Sequence, residues 1–333
     1  MTGTREYSSN PSPRDVVGAG GALLGANVLS SPANQHQLTD AGIDAVAGGA
    51  AQTRPRFLSV CTAFIFGVSL ALAFSSTPQA DPGADAEAVT IDTNFTVWTP
   101  PVRLYEPAHK ARASVVLLTG GNGLLSLDGT GTIIDSTGNF LIRSANLFLR
   151  NGLNVMMADA KPAHPNGLNN GINIGGRLST THAAELQGFI NAALIRWGKP
   201  VWVVGTSNGS VSAVTAAGFQ PALTGLTGVV LTSPVTVLPT ASQPTFNLYA
   251  SSITIPALVV WHEHDHCSFS PPGGSAALFA AFPSGAKAIA SFDGGHSVAT
   301  DPCGAFSEHG YAGIEEEVVK KIAIWVWNHD LPQ

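Results

Sequence analysis

The sequence alternates short apolar runs with helix-like stretches, and this alternation leaves few folds open to it. Each run places apolar residues on both faces of the strand that it predicts, as expected for strands buried within a parallel sheet. The runs are Val115–Leu118, Leu153–Met157, Val201–Val204, Gly228–Leu231, Ala257–Trp261 and Ala288–Phe292. The helix-like stretches are Thr181–Trp197, Ser210–Phe219 and Glu315–Trp327. Strands and helices in this order predict an α/β fold with a mostly parallel, doubly wound sheet.

Composition and length exclude several classes of protein. Hydrophobic residues make up 44% of the 333 residues and charged residues 11%, so the chain is not intrinsically disordered. The net charge of −6 and the lack of any basic run exclude a nucleic-acid binder that works by charge. The segment between the apolar runs that end at Leu231 and begin at Ala257 is too short for a large helical cap domain. We therefore expect an open site.

The N-terminal part carries a targeting pattern rather than a fold signal. Residues 57–74 are uncharged and mostly apolar, Arg54 and Arg56 precede them, and small residues follow. This order is typical of a secretory signal, with an uncleaved membrane anchor as the alternative because 18 residues is near the lower limit for a span. The sequence predicts a secreted or periplasmic protein that meets the membrane only during export. The predicted parts are an extension, disordered or upstream of the true start, at 1–53, a signal peptide and linker at 54–86, and one folded domain at 87–333.

Removal of the signal would leave two of the three cysteines. Cys61 lies within the apolar run and would leave with it, whereas Cys267 and Cys303 would remain. An even pair of cysteines in an oxidising compartment predicts one disulfide bond. The alternative is two free buried thiols.

The segment Gly205-Thr206-Ser207-Asn208-Gly209 has the form G-x-S-x-G. A predicted buried strand enters it and a small-residue helix leaves it, which is the context of a nucleophile elbow. The glycines allow a tight turn that exposes the hydroxyl of Ser207 at a helix N-terminus. The amide of Asn208 would then face an oxyanion formed at that serine.

A serine hydroxyl needs a base, and in this kind of fold the acid and then the histidine follow the serine along the chain. Asp265 follows the fifth apolar run and is the best candidate for the acid, while His296 and His309 are both candidates for the base. The neighbours of Asp265 also resemble zinc ligands, and the four residues concerned are His262, His264, Asp265 and His266. We favour Asp265 acting alone and expect neither a metal nor an organic cofactor.

A second oxyanion donor is expected in the loop after the first apolar run. Gly120–Gly123 fits that place, with the amide of Gly121 or Asn122 as the donor, because glycines let the backbone approach a substrate closely. A phosphate-binding loop is the rival interpretation, but the sequence has no G-K-[ST] there. Arg143, Arg177 and His182 are interpreted as structurally paired residues.

From about residue 95 to the end, the sequence resembles the α/β-hydrolase superfamily and is most similar to a group of secreted bacterial serine hydrolases of poorly defined substrate. The stretches that carry the resemblance are VVLLTGGNGLLSL, NFLIRSANLFLRNGLNVMMADAKP, PVWVVGTSNGSVSA, GVVLTSPV, PALVVWHEHDHC and DPCGAFSEHGYAGIEEEVVKKIAIWV. The resemblance implies an open sheet of about eight strands with flanking helices and a Ser–acid–His triad.

Within that resemblance, Asp265 matches the acid and Cys267 and Cys303 match a recurrent cysteine pair. The base is less clear, since the group favours His309 whereas the general geometry of the superfamily favours His296 in the loop after the last strand. Asn208 departs from the group, in which an arginine is expected there; the substitution alters substrate contacts but keeps the amide.

The sequence therefore predicts a secreted serine hydrolase that cleaves carboxylic esters, small or polymeric, through an acyl-enzyme. A serine peptidase or amidase would use the same residues. A binding protein on the same scaffold is the third hypothesis, because a fold does not determine a function.

Overall fold

A computed structural model describes residues 87–90, 101–106, 111–128, 131–160 and 171–329 of the chain. The predicted extension at 1–53 and the predicted signal and linker at 54–86 lie outside these ranges, as does the apolar run at 57–74. Within the described ranges, no helix combines the length and apolar character needed to cross a membrane.

One eight-stranded sheet organises the described residues. Its strands are β1 (Glu87–Thr90), β2 (Pro101–Tyr105), β3 (Ala113–Leu118), β4 (Leu153–Ala158), β5 (Val201–Thr206), β6 (Leu226–Thr232), β7 (Ala257–His262) and β8 (Lys287–Phe292). Their spatial order is β1-β2-β4-β3-β5-β6-β7-β8. The pairs β1–β2 and β2–β4 are antiparallel and all other pairs are parallel. The predicted mostly parallel sheet of about eight strands is confirmed.

Helices cover both faces of the sheet. They are α1 (Phe140–Arg143), α2 (Ala145–Arg150), α3 (Ile174–Arg177), α4 (Thr180–Trp197), α5 (Asn208–Gly218), α6 (Gln243–Ala250), α7 (Pro272–Ala281) and α8 (Glu315–Asn328). Side chains of α1, α2 and α8 pack on one face, and those of α4 to α7 pack on the other. Successive strand residues alternate between these two cores, so that Val203 packs in one and Val204 in the other. This is the doubly wound arrangement that the apolar runs predict.

The edge strand β1 and its neighbour β2 are not predicted from the sequence, because both are short and lack the continuous apolar character of the central strands. The connection between β6 and β7 holds only the eight-residue helix α6, in agreement with the expected lack of a large cap. The parallel strands β3, β5, β6 and β7 end at one edge of the sheet, so the loops that follow them gather there. This edge carries the candidate site.

Candidate active site

Ser207 occupies a sharp turn between β5 and α5. Its φ angle is +51°, a value that non-glycine residues rarely adopt and that stores backbone strain. The turn is possible because of the flanking glycines, since a Cβ on Gly205 would lie 2.3 Å from the carbonyl oxygen of Gly209 and one on Gly209 would lie 2.0 Å from that of Leu118. The amide of Ser207 donates to the carbonyl of Thr232 on β6 at 3.1 Å, which fixes the turn to the neighbouring strand.

Asp265 and His309 form a buried hydrogen-bonded pair. The Nδ1–H group of His309 donates to Oδ2 of Asp265 at 2.8 Å, and the histidine side chain is 4% exposed. Because a carboxylate only accepts, the proton must sit on Nδ1, and Nε2 of His309 carries the lone pair. Nε2 is buried and has no hydrogen-bond partner among the described residues. A neutral imidazole held in this way can accept a proton at Nε2.

The backbone around His309 is held by the end of β6. The hydroxyl of Ser233 donates to the carbonyl of His309 at 2.7 Å. Tyr311 is fully buried two residues further on; its hydroxyl accepts from the amide of Ser233 at 2.9 Å and donates to the carbonyl of Val260 at 3.0 Å. Burial raises the pKa of Tyr311. These bonds attach the histidine loop to the strand that lies beside Ser207.

Arg143 fixes the same loop from the other side. Its guanidinium donates to the carbonyls of Gly310 and Gly138 and to Oε1 of Glu315 at 2.8 Å. Burial lowers the pKa of Arg143, and the ion pair with Glu315 opposes that effect. The interpretation of Arg143 as a structurally paired residue therefore fits its contacts, and the structure it supports is the loop that carries His309.

The predicted cysteine pair is joined in the structure. Cys267 and Cys303 form a disulfide bond that links the loop after β7 to the loop that carries His309. The amide of Cys267 also donates to Oδ1 of Asp265 at 2.8 Å. The bond thus connects the segment of the acid with the segment of the histidine.

Ser207 and His309 line the same open cleft. The cleft has a volume of about 260 Å³, and most of its wall consists of small residues. Gly120, Gly121 and Cys303 are among the other lining residues, and Phe140 contributes an aromatic ring. A substrate carbonyl placed in this cleft would meet the serine, the histidine and the loop after β3 together.

The loop after β3 packs directly against the serine. A Cβ on Gly120 would lie 2.9 Å from Cβ of Ser207, so only glycine permits this approach. Among the described residues, no hydrogen bond uses the backbone amides of Gly121, Asn122 or Asn208. The side-chain amide of Asn208 donates to the carbonyl of Gly121 at 3.0 Å and joins the loop to the elbow. Gly121 lines the cleft, whereas the carbonyl of Asn122 accepts from the amide of Ile172.

Solved structures with the same architecture include an esterase, a monoglyceride lipase and a dienelactone hydrolase. An esterase from Pyrococcus furiosus is 14% identical, with 74% of this chain and 93% of that chain covered and a TM-score of 0.51. A soluble variant of monoglyceride lipase from Saccharomyces cerevisiae is 11% identical, with coverages of 73% and 97% and a TM-score of 0.52. A dienelactone hydrolase from Anabaena variabilis is 13% identical, with coverages of 74% and 100% and a TM-score of 0.52.

The chain has the α/β-hydrolase fold. No family model and no curated protein matches its sequence. At these identities the likeness establishes the fold and not the chemistry, which depends on the residues of the site.

Other histidines of this α/β-hydrolase fold lie apart from the Asp265 pair. His296, the alternative base, is exposed in the loop after β8 and forms no hydrogen bond with Asp265. His262 is buried; its Nε2–H donates to the carbonyl of Gly294 at 2.9 Å, and its Nδ1 accepts from the amide of His264. The ring of His264 pairs with Asp293 at 3.2 Å, and His266 is exposed. The structure therefore does not assemble these histidines around a common point.

One group of possible metal ligands does lie close together in the described part of the chain. It comprises Asp265, Cys267 and His309, whose ligand atoms are within 4.8 Å of one another. The sulfur of Cys267 forms the disulfide bond with Cys303, and the Nδ1–H group of His309 donates its hydrogen bond to Asp265. Neither of these two atoms is therefore free to bind a metal. The donor set does not fit a metal centre.

A second serine and histidine are in hydrogen-bond contact inside the fold, and no sequence pattern predicts this contact. Nε2 of His182 lies 2.8 Å from Oγ of Ser212, and Nδ1 lies 3.0 Å from Oε2 of Glu185. Ser212 is completely buried on α5, and the adjoining cavity, at about 30 Å³, has room for only a few water molecules. This serine has no space beside it for a substrate.

Proposed function

We propose that the chain is a serine hydrolase that cleaves carboxylic esters, with Ser207 as nucleophile, His309 as base and Asp265 as its orienting acid. The observation that carries the proposal is the buried His309–Asp265 bond, which leaves Nε2 of the histidine unpartnered in the cleft that Ser207 also lines. The strained φ of Ser207 supports the same assignment, because such strain concentrates at functional sites.

In the first half-reaction, Oγ of Ser207 attacks the ester carbonyl carbon while its proton passes to Nε2 of His309. The carbonyl oxygen becomes an oxyanion, which the amides of Asn208 and of Gly121 stabilise, with Asn122 as the alternative to Gly121. The carbon–oxygen bond to the alcohol then breaks, and the alcohol leaves with the proton from His309. The product of this half is an acyl-enzyme on Ser207.

In the second half-reaction, water attacks the acyl carbon and gives its proton to the same nitrogen of His309. Collapse of the second tetrahedral intermediate releases the acid and returns the proton to Ser207. Asp265 stays ionised throughout; it orients the ring and stabilises the imidazolium that forms twice in each cycle. The reaction needs no cofactor.

The proposal includes export of the protein. A disulfide bond beside the site favours an oxidising compartment, and the pattern at 54–86 is that of a secretory signal. N-terminal sequencing of the exported protein tests this part. A mature N-terminus shortly after residue 80 is expected, and retention of the full chain in the cytosol would contradict it.

Labelling with a fluorophosphonate, read by intact mass, tests the nucleophile. Attack by an activated serine expels fluoride and leaves one phosphonyl group on the protein. We expect one adduct on the wild type, none on Ser207→Ala, and one on the control Ser251→Ala, which removes an exposed serine at the end of α6. An unlabelled wild type, or an adduct that survives in Ser207→Ala, would overturn the assignment. Parallel assays with an ester and the corresponding anilide then separate esterase from amidase activity.

A further inference from the structure

Arg177 is a buried cation at the end of α3. It is 2% exposed, and no carboxylate in the described ranges forms an ion pair with it. Its Nε has no hydrogen-bond partner there either. Burial alone lowers the pKa of Arg177 to about 9, so the side chain remains charged at neutral pH. An unneutralised buried charge is costly, which makes its contacts informative.

The contacts of this guanidinium lie on the loop that faces Ser207. Nη2 donates to the carbonyl of Thr119 at 3.3 Å and to the carbonyl of Gly121 at 3.2 Å. These two carbonyls flank the Gly120–Gly121 peptide, so one side chain holds the loop on both sides of the amide that lines the cleft. The fit is close, because a Cβ on Gly123 would lie 3.0 Å from the same Nη2.

The other end of the guanidinium is fixed by α5. Nη1 donates to Oγ of Ser212 at 2.8 Å, and Ser212 in turn contacts His182, which pairs with Glu185. Ser212 and Ser207 lie on the same strand–turn–helix segment, five positions apart. Arg177 therefore connects the helix that begins at the nucleophile with the loop that would bind the oxyanion.

We propose that Arg177 is a positioning residue for this hydrolase, holding the loop from Thr119 to Gly121 so that its amide points at the oxyanion. The inference rests on the proposed function, since it gives the arginine a task in that reaction. Donation to the Gly121 carbonyl also polarises the Gly121–Asn122 peptide group, which strengthens the amide of Asn122, the alternative oxyanion donor. Arg177 itself stays behind the loop and does not touch the substrate.

Substitution of Arg177 separates positioning from folding. Loss of one oxyanion donor typically lowers kcat by about 100- to 1,000-fold, so we expect a fall in kcat of about 100-fold for Arg177→Met, with little change in KM. Arg177→Lys should recover part of kcat, and Arg177→Ala should be rescued by guanidinium chloride at a concentration that does not unfold the protein. Arg103→Met removes a buried guanidinium from β2, which β4 separates from β3 in the sheet, and is the matched control; it should keep the wild-type kcat.

The outcomes distinguish this inference from the proposed function. If the wild type forms no fluorophosphonate adduct and hydrolyses no ester, the proposed function is contradicted, and so is the positioning role that rests on it. If the wild type is active and folded Arg177→Met matches it in kcat, only the positioning role is overturned. If Arg177→Met does not fold, the positioning role is tested with Arg177→Lys and Ser212→Ala instead. A lower kcat at unchanged KM in these variants supports the positioning role. A wild-type kcat in both variants contradicts it.

Discussion

The backbone amide of Cys267 donates a 2.8 Å hydrogen bond to Asp265, two residues earlier in the chain. The cysteine that places this donor is also the one bonded to Cys303, in the loop that carries His309. The orientation of the acid and the path of the histidine loop are therefore coupled through one covalent bond.

Reduction of this disulfide should lower both stability and activity. The bond closes a segment with a sequence separation of 36 residues, for which chain entropy predicts a stabilisation of about 4 kcal/mol. Release of the histidine loop should also lower kcat/KM by about tenfold or more, because the base must be within hydrogen-bond reach of its proton donor. The measurement is ester hydrolysis and thermal unfolding of the wild type with and without reductant, beside the Cys267→Ser/Cys303→Ser double variant.

The double variant is the control for side effects of the reductant. It should already show the reduced activity and should not respond to reductant. A double variant as active and as stable as the oxidised wild type would show that the disulfide does not position the site.

The two candidate histidines should differ sharply in their effect on activity. His309→Ala should lower kcat/KM at least about a thousandfold, since it removes the partner of Asp265 and the base proposed for Ser207. His296→Ala should stay within about twofold of the wild type, because surface substitutions away from a site are nearly neutral. Equal losses in the two variants would be inconsistent with the geometry.

The pH–rate profile should show the same base. Only a neutral imidazole accepts a proton, so kcat/KM should fall about tenfold per pH unit on its acidic limb. The profile of His296→Ala should coincide with that of the wild type. A rate that is flat between about pH 5 and 8 would argue against a histidine base.

Much of this fold could be predicted from the sequence because its central strands are buried on both faces. Continuous apolar runs such as Val201–Val204 mark β5 and its parallel neighbours, and the observed strands extend them by no more than two residues at either end. The elbow was also predictable, because a G-x-S-x-G turn between a buried strand and a small-residue helix has few alternatives.

The remaining features depend on how distant segments meet, which a sequence pattern does not encode. His296 and His309 lie in one long segment after β8, and only its path, fixed by Ser233 and Arg143, brings His309 to the acid. The contact of Arg177 with Ser212 spans 35 positions and involves residue types that mark no motif. For this reason the sequence alone indicates only a structurally paired residue at Arg177.

Gly209 should not tolerate alanine. Its added Cβ would lie 2.0 Å from the carbonyl oxygen of Leu118, which is backbone of β3 and has little freedom to move. We expect Gly209→Ala to lose about 3 kcal/mol or more of unfolding free energy, or to be recovered only as insoluble protein. Gly273→Ala is the matched control on α7, where nothing lies within 4 Å of the new Cβ. That variant should gain about 0.5–1 kcal/mol, and similar chemical unfolding curves for the two variants would refute the steric argument.

Tyr311 should make the stability of the protein depend on alkaline pH. Burial raises its pKa, so the unfolded chain releases the phenolic proton before the folded one does. The contribution of Tyr311 is then fully present below the ordinary tyrosine value of about 10, and it is lost progressively as the pH rises further.

The variant Tyr311→Phe isolates this effect. At pH 7 it should be less stable by about 2 kcal/mol, because the amide of Ser233 loses an acceptor and the carbonyl of Val260 loses a donor in a buried site. Above pH 10 the advantage of the wild type should shrink by about 1.4 kcal/mol per pH unit. Urea unfolding of both proteins at several pH values measures the difference, in which all other titrating groups cancel. A difference that stays constant up to pH 11 would mean that the phenol does not ionise in the unfolded chain ahead of the folded one, and the hydrogen bonds of Tyr311 would then have to be reassigned.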